Sequence, residues 1–600
     1  MEQGRALGAC VRRDSRHGDC VVASMRARSR RDDPISYERH EPEKTLLHHV
    51  VSEHLEPFLE HSRSVGAPVA RFVEREIRAY LECGVLAHGF LRVQCDACGH
   101  DRLVAFSCKR RGFCPSCGGR RMADTAAHLV DRVLPEVPVR QWVLTLPYPL
   151  RYRCAWNTRL TSEVLRCFLR AVFANQRRRA KRDLGIRGGI CGSVTFIQRF
   201  GSALNLTPHF HTLLLDGVYE GPAHSPGCFR ALDPPEAEDV ARVLAGTARR
   251  IRRELERSGV ETDEDPIAAD DPLLAMLGAA SIRSRIATGP ESGEPWRRLG
   301  DRVEPVGEEE GGVEPEASIP PRCVRHGGMS LHADVAVPAH DRRRLERLCR
   351  YVARPPLALD RLEATSDGRL AYRLKTPWRD GTTHVVMERH ELLERLAPLI
   401  PPPRAHQVRY HGVLAPCASG RDRIVPRQDA KDPVPHATND APWRPVDDSA
   451  TRIDGASGGL DALFERGAGI ARPPASPVLR SGSIESGPVS TDARVRLPAL
   501  ITPAVPLPGR TAWADLLQRV FEIDALHCPA CGGRMRILSA ITEPEVARRI
   551  LECLDMPSRA PPLGKPKGGP AELPREESAP DLPWDVDPGF DFDQSRPDDS

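Results

Sequence analysis

Two pairs of closely spaced cysteines are the strongest chemical signal in the sequence. Cys95 and Cys98 form one CxxC pair, and Cys114 and Cys117 form another after fifteen intervening residues. Each pair offers two thiolates from one tight turn, and four thiolates complete a tetrahedral Zn²⁺ site with no open position. The spacing therefore predicts one structural zinc site, and a chance clustering of free thiols is the alternative.

A lone cysteine and a third CxxC pair give weaker evidence of metal binding. Cys108 lies inside the loop between the two pairs and is an alternative ligand for the same site. Cys528 and Cys531 form a third CxxC pair that resembles half of a zinc ribbon, with only Cys553 nearby in the sequence. For this third pair, metal binding and free thiols both stay open.

A histidine pair suggests a second kind of metal site. His209 and His211 flank Phe210 in a segment typical of a β-strand, so both imidazoles should project from one face of the strand. Gln198, on the preceding strand-like segment, could supply an oxygen as third ligand. Three protein ligands with open positions describe a catalytic metal. The alternative is a pair of core histidines with satisfied hydrogen bonds.

Tyr351 is the tyrosine with the most suggestive setting. It lies on a predicted helix among Arg347, Arg350 and Arg354. Positive charge favours the phenolate and neutralises a phosphate under attack, so Tyr351 is a candidate nucleophile. A tyrosine that merely packs the helix on the domain is the alternative interpretation.

Charge is distributed very unevenly along the 600 residues, although the net charge is only +4. Residues 101–200 hold 20 Lys and Arg against 6 Asp and Glu, whereas the last thirty residues hold 2 against 10. The basic block predicts a nucleic-acid surface and the acidic end a solvated tail. Five cations in or just after the cysteine loop are expected to bind the DNA backbone: Lys109, Arg110, Arg111, Arg120 and Arg121.

The same composition excludes other classes of protein. Mean hydropathy is −0.40, and no run reaches the roughly 20 apolar residues that a bilayer span requires. No apolar signal-peptide core is found, so we expect a cytoplasmic protein without a membrane partner. No phosphate-binding GxxxxGK[ST] loop is found either, and no nucleotide cofactor is expected.

The spacing of apolar residues predicts both helices and strands, and it assigns the candidate residues to them. Helices are predicted over 44–61, 69–84, 122–134, 157–183, 236–258, 342–353 and 391–400. Strands are predicted over 139–147, 192–200, 208–218 and 329–337, with further strand-like segments at 372–378 and 382–387. The second and third strands, joined by a short turn, are expected to be antiparallel neighbours.

Eight segments, in this order, resemble the rolling-circle transposases of the insertion sequence ninety-one type and the related common-region elements. They are SCKRRGFCPSCGGRRM, WVLTLPYPLR, QRFGSALNLTPHFHTLLLDGVY, LHADVAV, LERLCRYVARPP, LKTPWRDGTTHVV, PPPRAHQVRYHGVLAP and CPACGGRMR. Apart from the last segment, the resemblance covers about residues 45–425.

The resemblance implies an α+β protein with an HUH endonuclease fold, in which helices flank an antiparallel sheet, preceded by a helical, zinc-binding domain. It implies His209 and His211 as ligands of Mg²⁺ or Mn²⁺ and Tyr351 as nucleophile. A likeness to relaxases supports Gln198 as third ligand. Two-tyrosine members carry a second tyrosine four residues upstream, where this chain has Arg347, so it resembles the one-tyrosine kind.

The resulting domain prediction has six parts. They are a disordered basic arm (1–40), a helical and zinc-binding domain (41–135), a catalytic HUH domain (136–417) with a surface insertion at about 260–320, a disordered linker (418–510), a small C-terminal segment with a CxxC pair (511–556) and a disordered acidic tail (557–600).

The expected activity is cleavage and rejoining of single-stranded DNA at element ends and in target DNA through a 5′-phosphotyrosine. Two alternatives stay open. A plasmid replication initiator or relaxase would use the same chemistry in another setting. A zinc-dependent DNA-binding regulator would have no catalysis, and Tyr351, Gln198 and the histidine pair would be packing residues.

Overall fold

The computed structural model describes residues 39–222, 224–258, 266–300, 322–378, 380–426, 513–521 and 524–565. All of these residues belong to one compact unit. Most of the predicted basic arm, linker and acidic tail therefore lies outside the described residues. None of the described helices is long and apolar enough to cross a membrane.

The described residues form twelve α-helices. Their bounds are α1 Leu46–Ser64, α2 Arg71–Glu82, α3 Pro115–Arg132, α4 Tyr148–Trp156, α5 Thr158–Leu184, α6 Ala237–Ser258, α7 Pro266–Asp270, α8 Pro272–Ile282, α9 Arg342–Val352, α10 Glu391–Leu396, α11 Trp513–Phe521 and α12 Pro544–Cys553.

Sixteen strands lie in the same part of the chain. Their bounds are β1 Phe90–Cys95, β2 Asp101–Ala105, β3 Val139–Thr145, β4 Gly192–Phe200, β5 Leu206–Leu215, β6 Gly217–Tyr219, β7 Phe229–Ala231, β8 Arg297–Gly300, β9 Cys323–His326, β10 Met329–His332, β11 Ala336–Val337, β12 Leu362–Ala364, β13 Leu370–Arg373, β14 Thr382–Met387, β15 Val408–Gly412 and β16 Met535–Ile541.

Local sequence explains both ends of α5 and the start of α9, two of the helices that pack on the central sheet. The side chain of Asn157 accepts a hydrogen bond from the Leu160 amide at the start of α5, and Gly185 ends that helix with φ of 69°. The Asp341 side chain accepts from the Arg344 amide and starts α9. Such caps satisfy backbone groups that a helix end leaves unpaired.

The central sheet is antiparallel and has helices on both faces. Its strand order is β15-β4-β5-β3-β10-β9, with β11 also paired to β3. Helices α4, α5 and α6 pack on one face, where Phe210 is buried. Helices α3 and α9 cover the other face, around Phe196 and Leu213. The prediction of an antiparallel sheet flanked by helices is confirmed.

The predicted surface insertion at about 260–320 does not hold for residues 266–300. Leu273, Leu274 and Leu277 of α8 are buried in a core shared with α1 and α2. Strand β8 pairs with β14 as the edge of a four-stranded sheet, β12-β13-β14-β8. Residues 266–300 are therefore part of the fold, because the apolar run of α8 outweighs the Gly- and Glu-rich composition around it. Residues 301–321 lie outside the described part.

The C-terminal segment joins the N-terminal half of the chain. Strand β16 pairs antiparallel with β1, which makes the three-stranded sheet β16-β1-β2. Ala547 and Leu551 of α12 pack with Phe90 of β1, and Leu516 of α11 packs on α3. The C-terminal segment, a separate part of the domain prediction, thus shares its core with the predicted zinc-binding region.

Candidate metal centres and basic groove

The histidine pair lies where the strand pattern predicts it. His209 and His211 are buried on one face of β5, and their Nε2 atoms are 3.0 Å apart. That is the face covered by α9, whereas Phe210 points into the core on the opposite face. The two imidazoles therefore converge on one point.

Hydrogen bonds at the inner ring nitrogens orient both imidazoles. Nδ1 of His209 lies 2.6 Å from the Thr207 carbonyl oxygen, so it donates its proton there. Nδ1 of His211 accepts a hydrogen bond of 2.6 Å from Nε2 of the Gln141 side chain on β3. The Thr207 bond leaves Nε2 of His209 with its lone pair, whereas Nε2 of His211 presents a lone pair only when the Gln141 amide is turned so that its oxygen accepts from Nδ1. Gln141 was not singled out by the sequence, because nothing in VRQWVLT distinguishes it.

Both imidazoles are held in the neutral form. Burial lowers the pKa of His209 to about 3, although its hydrogen bond to Thr207 opposes the shift. Burial also lowers the pKa of His211 far below its usual value, and the charge of Arg354 acts in the same direction. A neutral imidazole keeps the lone pair that a metal ion requires.

Gln198 lies beside the pair, as predicted. It is directly opposite His209 in the register of β4 and β5. Its Nε2 donates to the Val352 carbonyl at the end of α9 over 2.8 Å, and its buried Oε1 has no hydrogen-bond partner among the described residues. A buried acceptor without a partner is unusual, and this one fits a ligand of a divalent cation. No third histidine, cysteine or carboxylate in the described ranges completes a cluster with the pair.

Tyr351 lies over the same site. Its ring centroid is 6.2 Å from that of His211, edge to face. The guanidinium of Arg354 and the ammonium of Lys375 lie 4.9 Å and 5.0 Å from the Tyr351 centroid. Two cations beside a phenol favour its ionised form. Lys375 belongs to the motif LKTPW. It lies 24 residues after Tyr351 in the chain, so the sequence did not predict this contact.

Two further arginines predicted around Tyr351 lie on α9 itself. Arg347 is exposed, and Arg350 forms an ion pair of 3.8 Å with Glu346 one turn earlier. The Nε–H groups of Arg350 and Arg354 are buried, and no described residue accepts a hydrogen bond from them.

The cysteines form two clusters, and the predicted grouping of Cys95 and Cys98 with Cys114 and Cys117 is wrong. In the first cluster, sulphur atoms of four residues lie within 4.8 Å of one another: Cys83, Cys108, Cys114 and Cys117. Cys108 is thus a full member of this cluster, as the sequence allowed.

The second cluster contains Cys95, Cys98, Cys528 and Cys531, with the same 4.8 Å limit between sulphur atoms. The hairpin β1–β2 explains the separation. Cys95 and Cys98 lie at its turn, whereas Cys108 follows the far end of β2. Five residues of strand span roughly 17 Å, so the two ends cannot share one metal ion. Cys83 was missed because it ends α2 as an isolated cysteine outside any CxxC pair.

A groove of about 670 Å³ lies beside the first cysteine cluster and is lined mainly by cations. Asp124 and Glu76 are the acidic residues in its lining, which also includes Phe72 and Leu516. The cations are Arg75, Lys109, Arg110, Arg111, Arg120, Arg121 and Arg404. All five cations predicted to bind DNA from this part of the sequence are exposed there.

The loop before α3, which carries Lys109, Arg110 and Arg111, is held in place by hydrogen bonds. Arg121 donates hydrogen bonds to the Lys109 and Arg110 carbonyl oxygens over 3.1 and 3.3 Å. Arg111 donates to the Ala405 carbonyl over 3.1 Å. The cysteine cluster and these bonds together preorganise a positive surface of the kind that binds phosphates.

Two stretches of the chain match known protein families. Residues 50–146 match a family described as "Transposase zinc-binding domain", which belongs to transposases of the insertion sequence ninety-one type. Residues 192–422 match a family described as "Putative transposase". No match was found among curated proteins or solved structures.

Proposed function

We propose that this chain, a member of the insertion sequence ninety-one family of transposases, cleaves and rejoins single-stranded DNA through a 5′-phosphotyrosine on Tyr351. The reaction would mobilise an element by a rolling-circle-like route. The central sheet, with His209 and His211 on one strand and Tyr351 on the helix that covers them, supports the proposal, because this is the arrangement expected of an HUH endonuclease.

One observation carries the proposal: a tyrosine flanked by two cations lies edge to face on one imidazole of a converging, neutral histidine pair. A core histidine pair would have no need of a tyrosine flanked by two cations, nor of a buried Gln198 oxygen without a hydrogen-bond partner among the described residues. His209, His211 and Gln198 are the three residues that would hold Mg²⁺ or Mn²⁺.

The residues of the chain account for each step. When bound, the cation would act as a Lewis acid on the scissile phosphate. The Tyr351 oxygen attacks phosphorus in line with the 3′ oxygen, the bond from phosphorus to that oxygen breaks, and a free 3′-hydroxyl results. Arg354 and Lys375 stabilise the phenolate before attack and the phosphate charge during it. A 3′-hydroxyl reverses the reaction and joins strands, so the energy of the phosphodiester bond is conserved.

The groove supplies the second part of the proposal, a path for the DNA backbone. Three of its cations, Lys109, Arg110 and Arg111, lie on the loop before α3 that the first cysteine cluster, as a structural Zn²⁺ site, would hold. Phe72 adds an aromatic face on which an unpaired base can stack. Arg347, Arg350 and Arg354 would contact DNA on the side of the tyrosine.

Withdrawal of the loosely held cation should stop cleavage without unfolding the protein. Brief EDTA treatment is expected to abolish cleavage of single-stranded DNA from the regions flanking the gene, and Mg²⁺ or Mn²⁺ alone should restore it. The reason is that two imidazoles and one amide bind a divalent ion weakly, whereas four thiolates retain Zn²⁺. Activity, zinc content and thermal unfolding are measured together. Cleavage that persists in EDTA, or that only Zn²⁺ restores, would contradict the assignment.

The groove should contribute charge-dependent affinity. The double variant Arg110→Ala/Arg120→Ala is expected to bind a single-stranded oligonucleotide on the order of tenfold more weakly, with the slope of log affinity against log salt reduced by about 1.4. Fluorescence anisotropy over a salt series measures both quantities. Arg252→Ala/Arg253→Ala removes the same charge from the exposed surface of α6 and is the matched control. Equal effects of the two double variants would rule out the groove as the binding path.

A further inference from the structure

The second cysteine cluster joins residues that are more than 400 positions apart in the chain. Cys95 Sγ lies 3.5 Å from Cys531 Sγ, and Cys98 Sγ lies 3.7 Å from Cys528 Sγ. Residues 528 and 531 lie outside both regions that match known families. The two CxxC pairs thus face each other across β1 and β16.

These distances fit metal coordination and not disulfide bonding. Sulphur atoms about 2.3 Å from a tetrahedral Zn²⁺ are about 3.8 Å from each other, close to the two observed separations. A disulfide requires about 2.05 Å between sulphur atoms. One backbone amide also points at a sulphur of the cluster: Gly533 N–H donates to Cys531 Sγ over 3.4 Å.

We propose that Cys95, Cys98, Cys528 and Cys531 bind a second structural Zn²⁺, which clamps the C-terminal segment to the zinc-binding domain. Four thiolates leave no open position, so this ion has no part in strand cleavage. The chain therefore holds two zinc ions, and the two CxxC pairs that first suggested a single site contribute to different ones.

The contacts around the cluster explain why a clamp is required. Strand β16 is mostly exposed on one side, with Ile537 59% exposed. The apolar cores beneath it are small, one of Val93, Cys95, Cys528 and Met535 and another around Phe90 and Leu551. Cores of this size stabilise little by themselves, and small units commonly depend on a bound metal.

The clamp also has a consequence for the groove. Leu516 of α11 lines the groove, and Arg519 of the same helix forms ion pairs with Asp131 and Glu346. Helix α11 begins fifteen residues before Cys528, so the metal holds this wall of the groove near the N-terminal loop. Release of the clamp should loosen the C-terminal segment and leave the first cluster intact.

Zinc content provides the first test. The wild-type chain should contain two zinc ions, measured by elemental analysis against protein concentration. Cys528→Ser/Cys531→Ser and Cys95→Ser/Cys98→Ser should each contain one, because each removes half of the same site. Cys553→Ser removes an exposed thiol of the same segment that is in neither cluster and should retain two. One zinc in the wild type, or two in either double variant, would overturn the proposal.

Alkylation of the wild-type protein tests the same site without a mutation. Cys98, Cys531 and Cys553 are all exposed, so iodoacetamide should modify them at similar rates if all are free thiols. With zinc bound, only Cys553 should react quickly, and Cys98 and Cys531 should react after zinc is removed. Fast modification of all three in the native protein would overturn the proposal. Neither test involves DNA, so its result is independent of the proposed cleavage chemistry.

Discussion

Replacement of His209 or His211 by alanine is expected to lower the rate of single-strand cleavage by a factor on the order of a thousand or more. Each change removes one of two imidazoles whose Nε2 atoms are 3.0 Å apart. The remaining ligands would hold the cation poorly, and the Lewis-acid stabilisation that is lost is worth several kcal/mol. A strand-cleavage assay in Mg²⁺ measures the effect.

Phe210→Ala is the matched control, because this residue lies between the two histidines on the other face of the strand. It should lower the free energy of unfolding by about 3–5 kcal/mol, since its ring is buried in the core. The histidine variants should unfold close to the wild-type temperature. Near wild-type cleavage by both histidine variants would show that the pair only packs the core.

Tyr351→Phe should abolish covalent protein–DNA adducts completely and leave single-strand binding almost unchanged. The substitution removes only the phenolic oxygen, while the ring keeps its contacts with His211, Arg354 and Lys375. Denaturing gel electrophoresis with a labelled oligonucleotide counts the adducts, and fluorescence anisotropy measures binding.

Tyr410→Phe provides the comparison for the nucleophile. Tyr410 lies on β15 of the same sheet, where burial raises its pKa and keeps the phenol protonated. This variant should form adducts at the wild-type level. Adducts at undiminished yield in Tyr351→Phe, with loss in Tyr410→Phe, would move the nucleophile to β15.

Regular periodicity made much of the central sheet and of its covering helices predictable. Strand β4 has the predicted bounds, 192–200, and α9 lies within the predicted 342–353. Strand alternation placed both histidines on one face, because side chains two residues apart point the same way. The pairing of Gln198 with His209 followed from a short connection between two antiparallel strands.

Contacts between distant parts of the chain were not predictable in the same way. The cysteine pairs were assigned to one site by spacing, but the short β1–β2 hairpin separates them, and partners come from Cys83 and Cys528 instead. Lys375 reaches Tyr351 only because the chain folds back after α9. The buried helix α8 was likewise not predicted, because Gly- and Glu-rich sequence surrounds it. Sequence patterns report local geometry, whereas these features depend on tertiary packing.

Mapping of the covalent adduct by mass spectrometry tests the central claim most directly. The wild-type protein is incubated with single-stranded DNA from the regions flanking the gene in Mn²⁺ and digested, and nucleotide-bearing peptides are sequenced. We predict a nucleotide joined through its 5′ phosphate to Tyr351, which begins the tryptic peptide that ends at Arg361, since the Arg354–Pro355 bond resists trypsin. Strand cleavage with no tyrosine adduct, or with the nucleotide on another residue, would contradict the proposed mechanism.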